Sequence, residues 1–185
     1  MPTILGMDAA IPVVMFSGIL GSQMEDQHSL EERFLRLNRS LHRAQDSRTF
    51  VCFVMAELDP GTQTLRLSNG GCPYPYHFRA STGEVLELQI AVYPLGVRHN
   101  TNYPVTEPHL HPGDRMFFCS YGIIEADNTA GEQFEFDQTT ETIRKACEEG
   151  LSAEATIDRI LEVVNAFKGD ASQSDEMTCV VLRVE

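Results

Sequence analysis

The sequence predicts an α+β fold, in which a mostly antiparallel sheet packs against helices that lie outside it. Three features carry this prediction. Helical periodicity marks one segment near the start of the chain and two near its end, strand-like runs with turn residues between them fill the middle, and an apolar run closes the sequence. Because sheets and helices of this kind must bury their apolar sides against one another, a layered domain follows.

The size and charge of the chain limit its function. Its 185 residues predict one domain spanning residues 1–185. The net charge of −13 argues against nucleic acid as a partner, because binding a phosphate backbone needs clustered Lys and Arg. It also argues against an anionic membrane surface. The longest apolar stretch, residues 9–20, is too short to span a bilayer and follows no basic segment, so we expect a cytoplasmic protein.

The first two elements precede the strands. Residues 11–22 are compatible with a helix that has Pro12 in its first turn or with a buried strand, and periodicity leaves both open. A second helix begins after Ser29, a good N-cap, with Glu32 three residues later. Its apolar face comprises Leu30, Phe34, Leu37 and Leu41.

The middle of the chain reads as strands joined by turns. Residues 49–58 form a strand that turns at Asp59-Pro60-Gly61 into its hairpin partner, residues 62–69. The further predicted strands are residues 74–80, 84–89 and 115–120, with a turn at 81–83 and a loop-rich segment at 90–111. Antiparallel hairpins therefore dominate the sheet.

Two helices and a strand complete the chain. A helix over residues 138–150 ends at Gly150, a natural C-terminal cap. The next helix starts at Ser152 and runs to residue 167, and residues 176–184 form the closing strand. The apolar face of this second helix comprises Ile157, Ile160, Leu161 and Val164.

The cysteines predict free thiols. The chain has five, an odd number, and no C-x-x-C pair. They are Cys52, Cys72, Cys119, Cys147 and Cys179. Three lie in apolar strand-like runs, so buried thiols in a reducing cytoplasm are favoured over disulfides or a zinc site.

Four segments then resemble a known family in order and spacing. They read "LRLSNGGCPYPYHFRASTGEVLEL", "YPLGV", "LHPGDRMFFCSYGIIEADN" and "SDEMTCVVLRV". The sequence resembles the bacterial metal-dependent serine/threonine phosphatases, the PP2C-like domains of the SpoIIE and RsbU type. Their pattern is a strand into N-A-G-H-P-P, then P-L-G, then P-G-D before a strand ending in T-D-G-x-x-E-A, and finally D-D-x-T. The resemblance spans about residues 11–185.

This resemblance implies a fold and a chemistry. It implies an α-β-β-α sandwich that holds two Mn²⁺ or Mg²⁺ ions, which activate a water to attack a phosphoserine on an anti-sigma-factor antagonist. Two hard dications about 3.5–4 Å apart need several oxygen ligands, mostly carboxylates.

The expected ligand positions are mostly altered here. The Asp of T-D-G corresponds to Tyr121, the Asp-Asp pair to Asp175 and Glu176, and the His of A-G-H to Cys72. An earlier ligand Asp would fall on Leu5. The resemblance thus implies a vestigial ligand at Asp175 and degenerate positions at the other four, so no cofactor is expected, with Mn or Mg bound only if the domain is active.

Some acidic residues have an alternative interpretation. Asp175 is either a leftover ligand or an Asp that caps the turn before the last strand. Glu125, Asp127 and Asn128 could bind a cation, although a solvated turn is favoured. The family's earlier G-G-D-F-x-D strand is absent, so we expect an N-terminally truncated domain or a natural sequence that starts late.

Three functions stay open at this point. One is a pseudophosphatase that binds proteins in sigma-factor regulation, and another is an active phosphatase completed by ligands outside this chain. A structural dimerisation module is the third. Tyr121 discriminates between the first two, because an upstream segment cannot restore a carboxylate there.

The resemblance also implies partners. We expect a sigma factor or an anti-sigma regulator, an upstream receiver or sensor domain as in RssB-type response regulators, and a possible homodimer. The predicted contact surface is the helical region over residues 11–22 and 27–44, with Met15, Ile19 and Met24 as docking residues.

Overall fold

A computed structural model describes residues 7–44, 50–59, 61–62 and 64–185, with residues 7–12 described by their backbone alone. The elements are α1 (Met7–Met24), α2 (Leu30–Ala44), β1 (Phe53–Asp59), β2 (Thr64–Gly70), β3 (Tyr76–Arg79), β4 (Glu84–Glu87), β5 (Arg115–Cys119), α3 (Tyr121–Ile124), α4 (Glu135–Glu148), α5 (Ala153–Lys168) and β6 (Cys179–Arg183). The chain divides into two compact units. Unit 1 comprises Met1–Cys72 and Ile90–Pro108, and unit 2 comprises Pro73–Gln89 and His109–Glu185.

Unit 1 contains the first two helices and an antiparallel hairpin. The segment with two open interpretations, residues 11–22, is helical and lies within α1. β1 pairs with β2 from Phe53 opposite Gly70 to Asp59 opposite Thr64, which confirms the predicted hairpin. Of the helices in the described ranges, none is long and apolar enough to cross a bilayer.

The second helix follows its sequence signals closely. Glu32 N–H donates to Ser29 Oγ at 3.2 Å, so Ser29 caps α2 as predicted. The four predicted apolar positions, Leu30, Phe34, Leu37 and Leu41, are all fully buried in the core of unit 1. This helix is therefore stabilised by burial of one face, as its 3.6-residue period requires.

One buried amide attaches the long loop to α2. Asn38 Nδ2 donates to the carbonyl oxygens of Arg98 and His99, at 2.8 and 3.1 Å. Its Oδ1 accepts from Gly96 N–H at 2.8 Å and from the Tyr103 hydroxyl at 3.1 Å. Because these polar groups are away from water, the four bonds hold the loop-rich segment in one conformation.

Unit 2 is built on a four-stranded antiparallel sheet in the order β4-β3-β5-β6. Its apolar core includes Tyr76, Phe117, Ile143 and Ile160, which come from strands and from α4 and α5. The predicted strands and both predicted helices are present. However, α4 begins earlier than expected, at Glu135.

A buried hydrogen bond between a histidine and an aspartate fixes the turn before β5. His77 Nε2 lies 2.9 Å from Asp114 Oδ2, and both side chains are almost fully buried. Asp114 also accepts hydrogen bonds from Ala80 N–H and His111 N–H. Burial by itself would raise the pKa of Asp114, but the hydrogen bonds from His77 and the two amides outweigh it and lower that pKa. The P-G-D turn is therefore tied to β3.

Candidate functional site

Two segments distant in sequence meet in unit 2 where β5 ends and β6 begins. Ser120 N–H donates to the Thr178 carbonyl at 2.9 Å. The Ser120 hydroxyl donates to the Glu176 carbonyl at 3.0 Å and accepts from Thr178 N–H at 2.9 Å. These bonds extend the strand pairing and bring Tyr121 near Asp175 and Glu176. We name residues 120–122 and 175–178 the strand-end site.

The chain after β5 forms a one-turn helix, α3, that begins at Tyr121. The apolar residues Ile123 and Ile124 draw the chain back into the core, because both are buried. Gly122 is needed for a close approach. A Cβ added there would lie 2.3 Å from the Glu176 carbonyl oxygen, so the two segments touch through backbone.

The two acidic side chains of the strand-end site are exposed to solvent. Asp175 Oδ1 accepts from Glu176 N–H at 2.8 Å, and Gln173 Nε2 donates to the Asp175 carbonyl at 2.9 Å. These are the local bonds expected of an Asp that caps a turn. The role of Asp175 as a vestigial ligand stays a prediction. Tyr121, by contrast, is half-buried.

The remaining expected ligand positions belong to unit 1. Cys72 is half-buried, and its N–H donates to Asn69 Oδ1 while its carbonyl accepts from Asn69 Nδ2, both at 2.9 Å. Burial, with a smaller effect from Cys52, raises the pKa of the Cys72 thiol to about 12. Its sulfur is also a soft donor, whereas Mg²⁺ and Mn²⁺ prefer oxygen ligands. Leu5 lies outside the described residues.

The acidic segment after α3 forms an ordered turn. Asn128 Oδ1 accepts from Ala130 N–H at 2.9 Å and from Glu132 N–H at 3.0 Å, and Asn128 Nδ2 donates to Glu132 Oε2 at 2.9 Å. Asn128 therefore uses its polar atoms on its own loop. This arrangement fits the solvated-turn interpretation of Glu125, Asp127 and Asn128.

Glu125 lies beside a small cavity rather than in that turn. The cavity has a volume of about 300 Å³. It is bounded by Ile124, Glu125, Gln133, Glu135, Phe136 and Asp137. Its acidic lining belongs to an exposed surface of unit 2.

The donor atoms do not fit a two-metal centre. Such a centre needs several hard oxygen ligands converging on two dications. At the strand-end site, the side-chain donors at the expected positions are one phenol and two solvent-exposed carboxylates. Across the described ranges, no group of three His, Cys, Asp or Glu side chains is placed to hold a metal ion. We therefore derive no metal-dependent step for this chain.

The predicted docking residues on α1 differ in their surroundings. Met15 and Ile19 are half-buried and pack against the core of unit 1, so they contribute to the fold. Met24 is 52% exposed, and Val13 and Val14 are 63% and 71% exposed. Among the side chains of α1 that the structure describes, residues 13–24, the exposed large apolar ones are Val13, Val14 and Met24, which we name the α1 patch.

Sequence reasoning missed the two residues that organise the strand-end site. Ser120 and Gly122 contribute a hydroxyl and a close backbone approach, both directed at Glu176. The S-Y-G sequence at the end of a strand was the available signal. It did not reveal the partner, because the contact joins residues far apart in the chain.

Several solved structures share this fold at low identity. The SiaA-PP2C domain of Pseudomonas aeruginosa matches with a TM-score of 0.83 and 16% identity, covering 97% of this chain and 71% of that one. The PP2C domain of SpoIIE from Bacillus subtilis, with part of its regulatory domain, matches at 0.71 and 18% identity, covering 91% and 49%. The Ser-Thr phosphatase MsPP from Mycobacterium smegmatis matches at 0.67 and 18% identity, covering 98% and 85%.

A family profile identifies the chain more directly. The profile of stage II sporulation protein E (SpoIIE) matches residues 5–185. No curated protein sequence matches. The chain spans about half of the B. subtilis SpoIIE fragment, 49% of its length. Because the profile covers nearly the whole chain and the shared fold agrees with it, the chain belongs to the SpoIIE family of PP2C-like phosphatase domains.

Proposed function

We propose that the chain is a degenerate PP2C-like domain that acts in the bacterial cytoplasm as a protein-binding signalling effector, without phosphatase activity. One observation carries the proposal. Tyr121 occupies the position at which the family has the Asp of T-D-G, and a phenol offers a single oxygen where two cations need a carboxylate.

Other positions support this proposal. Cys72 stands where the family has a histidine, and its sulfur is a soft donor that suits Mg²⁺ and Mn²⁺ poorly. Asp175 makes a hydrogen bond to the adjacent backbone amide, as a turn residue does. The competing proposal, an active phosphatase acting on an anti-sigma-factor antagonist, requires ligands from outside this chain and still leaves Tyr121 in place.

The proposed effector binds its partner through the α1 patch. Three large apolar side chains of α1 are each more than half exposed. A helix that only faces solvent would expose polar side chains there, so the exposed apolar area indicates a contact surface. The net charge of −13 favours a partner with a basic patch, mainly by raising the association rate. We propose a sigma factor or an anti-sigma regulator as that partner, with a receiver or sensor domain upstream and a second copy of the chain as a further occupant.

Arg33 supports α1 as a defined binding surface. Its guanidinium donates to the Gln23 carbonyl and, at 3.2 Å, to the His28 carbonyl. Its Nη1 atom also lies 3.7 Å from Met24 Sδ. The side chain is almost fully buried. It therefore fixes the end of α1 against α2, which keeps the α1 patch in one orientation.

A phosphatase assay tests the loss of activity. We expect the purified chain to show no Mn²⁺- or Mg²⁺-dependent hydrolysis of p-nitrophenyl phosphate or of a phosphoserine peptide. Tyr121→Asp alone should not restore turnover, because other ligand positions are also altered. Calorimetric titration with Mn²⁺ should show weak binding or none.

The contradicting result is specific. Metal-dependent turnover that disappears in Asp175→Asn, but persists in the exposed control Asp158→Asn, would establish an active phosphatase and refute the proposal. Asp158 is a suitable control because it lies on the exposed side of α5.

A further inference from the structure

Two cysteines lie directly opposite each other in the sheet of unit 2. Cys119, the last residue of β5, pairs with Cys179, the first residue of β6. Their sulfur atoms are 3.9 Å apart. Cys119 is buried and Cys179 is half-buried, so one thiol of the pair is within reach of a small solute.

The strand pairing places the two cysteines at a site that can hold a disulfide. Val184 N–H donates to the Asp114 carbonyl and Ser120 N–H to the Thr178 carbonyl, each at 2.9 Å. In an antiparallel ladder, residue pairs that are joined by backbone hydrogen bonds alternate with pairs that are not. Because the pair of Ser120 and Thr178 is hydrogen-bonded, the adjacent pair of Cys119 and Cys179 is a non-hydrogen-bonded pair. Cα atoms in such pairs are about 4.5 Å apart, within the range that disulfides span.

The sulfurs need only a small movement to bond. A disulfide requires a separation of about 2.05 Å, and rotation about the Cα–Cβ bonds brings two sulfurs together from 3.9 Å. The neighbouring backbone is already in register, since Phe118 pairs with Val180 on the next rung. No change of strand pairing is needed.

The pair also contains the thiol that ionises most readily. The two thiols share a hydrogen bond in which either sulfur can be the donor. When the S–H of Cys119 donates, it lowers the pKa of Cys179 and its own pKa is raised. Burial raises the pKa of Cys72 and of Cys147 to about 12. The nucleophilic thiolate forms most easily at Cys179, which has a second thiol beside it.

We propose that Cys119 and Cys179 form a redox-active dithiol that hydrogen peroxide oxidises reversibly to a cross-strand disulfide. The Cys179 thiolate attacks one peroxide oxygen, the O–O bond breaks, and hydroxide leaves, giving a sulfenic acid at Cys179. Cys119 sulfur then attacks Cys179 sulfur, so that the S–S bond forms and the S–O bond breaks. The protons of the Cys179 and Cys119 thiols convert the two hydroxide leaving groups into two waters. Overall, two thiols are oxidised to one disulfide and one peroxide is reduced.

The disulfide would act on the strand-end site whatever that site binds. Cys119 immediately precedes Ser120, and Cys179 immediately follows Thr178. Oxidation therefore joins the two segments covalently next to the hydrogen bonds that already hold them. This inference is independent of whether the domain is a phosphatase.

The test is peroxide treatment of the full chain carrying Cys52→Ser, which removes the exposed thiol that could link two molecules. After oxidation, denaturation and alkylation, we expect two of the four remaining thiols to be blocked. Mass spectrometry of the digest should show one linked peptide pair containing Cys119 and Cys179, and a dithiol reductant should release it.

Matched variants separate this pair from the other thiols. Cys147→Ser removes a buried cysteine outside the pair and should leave the disulfide intact. In Cys119→Ser, and in Cys119→Ala should the serine variant fold poorly, Cys179 should accumulate as a sulfenic acid that dimedone traps. Three outcomes in the Cys52→Ser chain would each overturn the proposal. They are retention of all four thiols, over-oxidation of Cys179 without a disulfide, and a disulfide between Cys72 and Cys147.

Discussion

At the scale of single residues, Gly122 decides whether the strand-end site can close. We expect Gly122→Ala to destabilise the fold by about 2 kcal/mol or more, because the added Cβ would meet the Glu176 carbonyl oxygen at 2.3 Å and its carbon at 2.8 Å. Both obstacles are backbone atoms, which cannot rotate away. Urea denaturation of the two proteins measures the loss.

Gly18→Ala is the matched control for that change. Gly18 lies in α1 and has no heavy atom within 4 Å of an added Cβ. Alanine there should be neutral or stabilising by up to about 1 kcal/mol, because it restricts the unfolded chain and favours helix. Equal denaturation midpoints for Gly122→Ala and the parent would show that the two segments do not pack as described.

Asp114 makes the stability of unit 2 dependent on pH. Its pKa is lowered in the folded state, so its contribution is present above the unfolded value of 3.8 and is lost as the pH falls through the folded value. We expect Asp114→Asn to lower the free energy of unfolding by roughly 3 kcal/mol at pH 7, since an amide cannot replace the charge-assisted hydrogen bonds that Asp114 accepts from His77 and two backbone amides.

The difference in free energy of unfolding between Asp114→Asn and the parent should shrink as the pH falls below about 4, because the carboxylate of the parent then becomes protonated. Chemical denaturation at pH 7, 5, 4 and 3 measures it. Asp158→Asn, on the exposed side of α5, serves as control for the substitution itself and should change stability by less than about 0.5 kcal/mol at pH 7. A constant difference between Asp114→Asn and the parent across this range would contradict the role given to the Asp114 carboxylate.

At the scale of elements, α2 holds the 90–108 segment through one side chain. Asn38→Ala would remove the side chain that bonds Gly96 N–H and the His99 carbonyl. The Tyr103 hydroxyl and the Arg98 carbonyl would each lose one of two hydrogen bonds. We expect the free energy of unfolding to fall by about 3 kcal/mol and the amide hydrogen of Gly96 to exchange faster. Hydrogen exchange with mass spectrometry reads both the segment and the whole domain.

Arg39→Ala is the control on the same helix, since Arg39 is exposed. It should change stability by less than about 0.5 kcal/mol. Unchanged exchange at Gly96 in Asn38→Ala would mean that other contacts position the segment, such as the backbone bridge between Val51 and Leu95.

At the scale of the whole molecule, the α1 patch sets how the domain associates. We expect Val14→Asp to reduce self-association or partner capture at least tenfold without loss of stability, because Val14 is 71% exposed. Light scattering measures the first, and pull-down with a sigma factor or an anti-sigma regulator measures the second. Capture of a basic partner should weaken as salt rises.

The matched control is Val180→Asp, a valine 53% exposed on β6 in unit 2. It places the same charge on a different surface and should leave association unchanged. If Val14→Asp and Val180→Asp both associate as the parent does, then the exposed apolar residues of α1 are not an interface.

The elements set by local signals were predictable. In α2, Ser29 and the buried face of Leu30, Phe34, Leu37 and Leu41 follow from capping and a 3.6-residue period, which act between neighbours in sequence. The turn after β1 likewise depends on Asp59, whose Oδ1 accepts from Gly61 N–H at 2.8 Å. The order of these elements, together with the motif spacing, was enough to predict the fold and the family.

The sequence by itself therefore determined the helices, the hairpins and the replacement of a ligand position by Tyr121. Only the tertiary structure decided which distant residues meet. The contact of Gly122 with Glu176 and the pairing of Cys119 with Cys179 join residues more than fifty positions apart. It also decided that Met15 and Ile19 pack inward while Val13 and Val14 are exposed. Such contacts depend on sheet register and on how helices cover the core, which involve many residues at once and leave no local pattern.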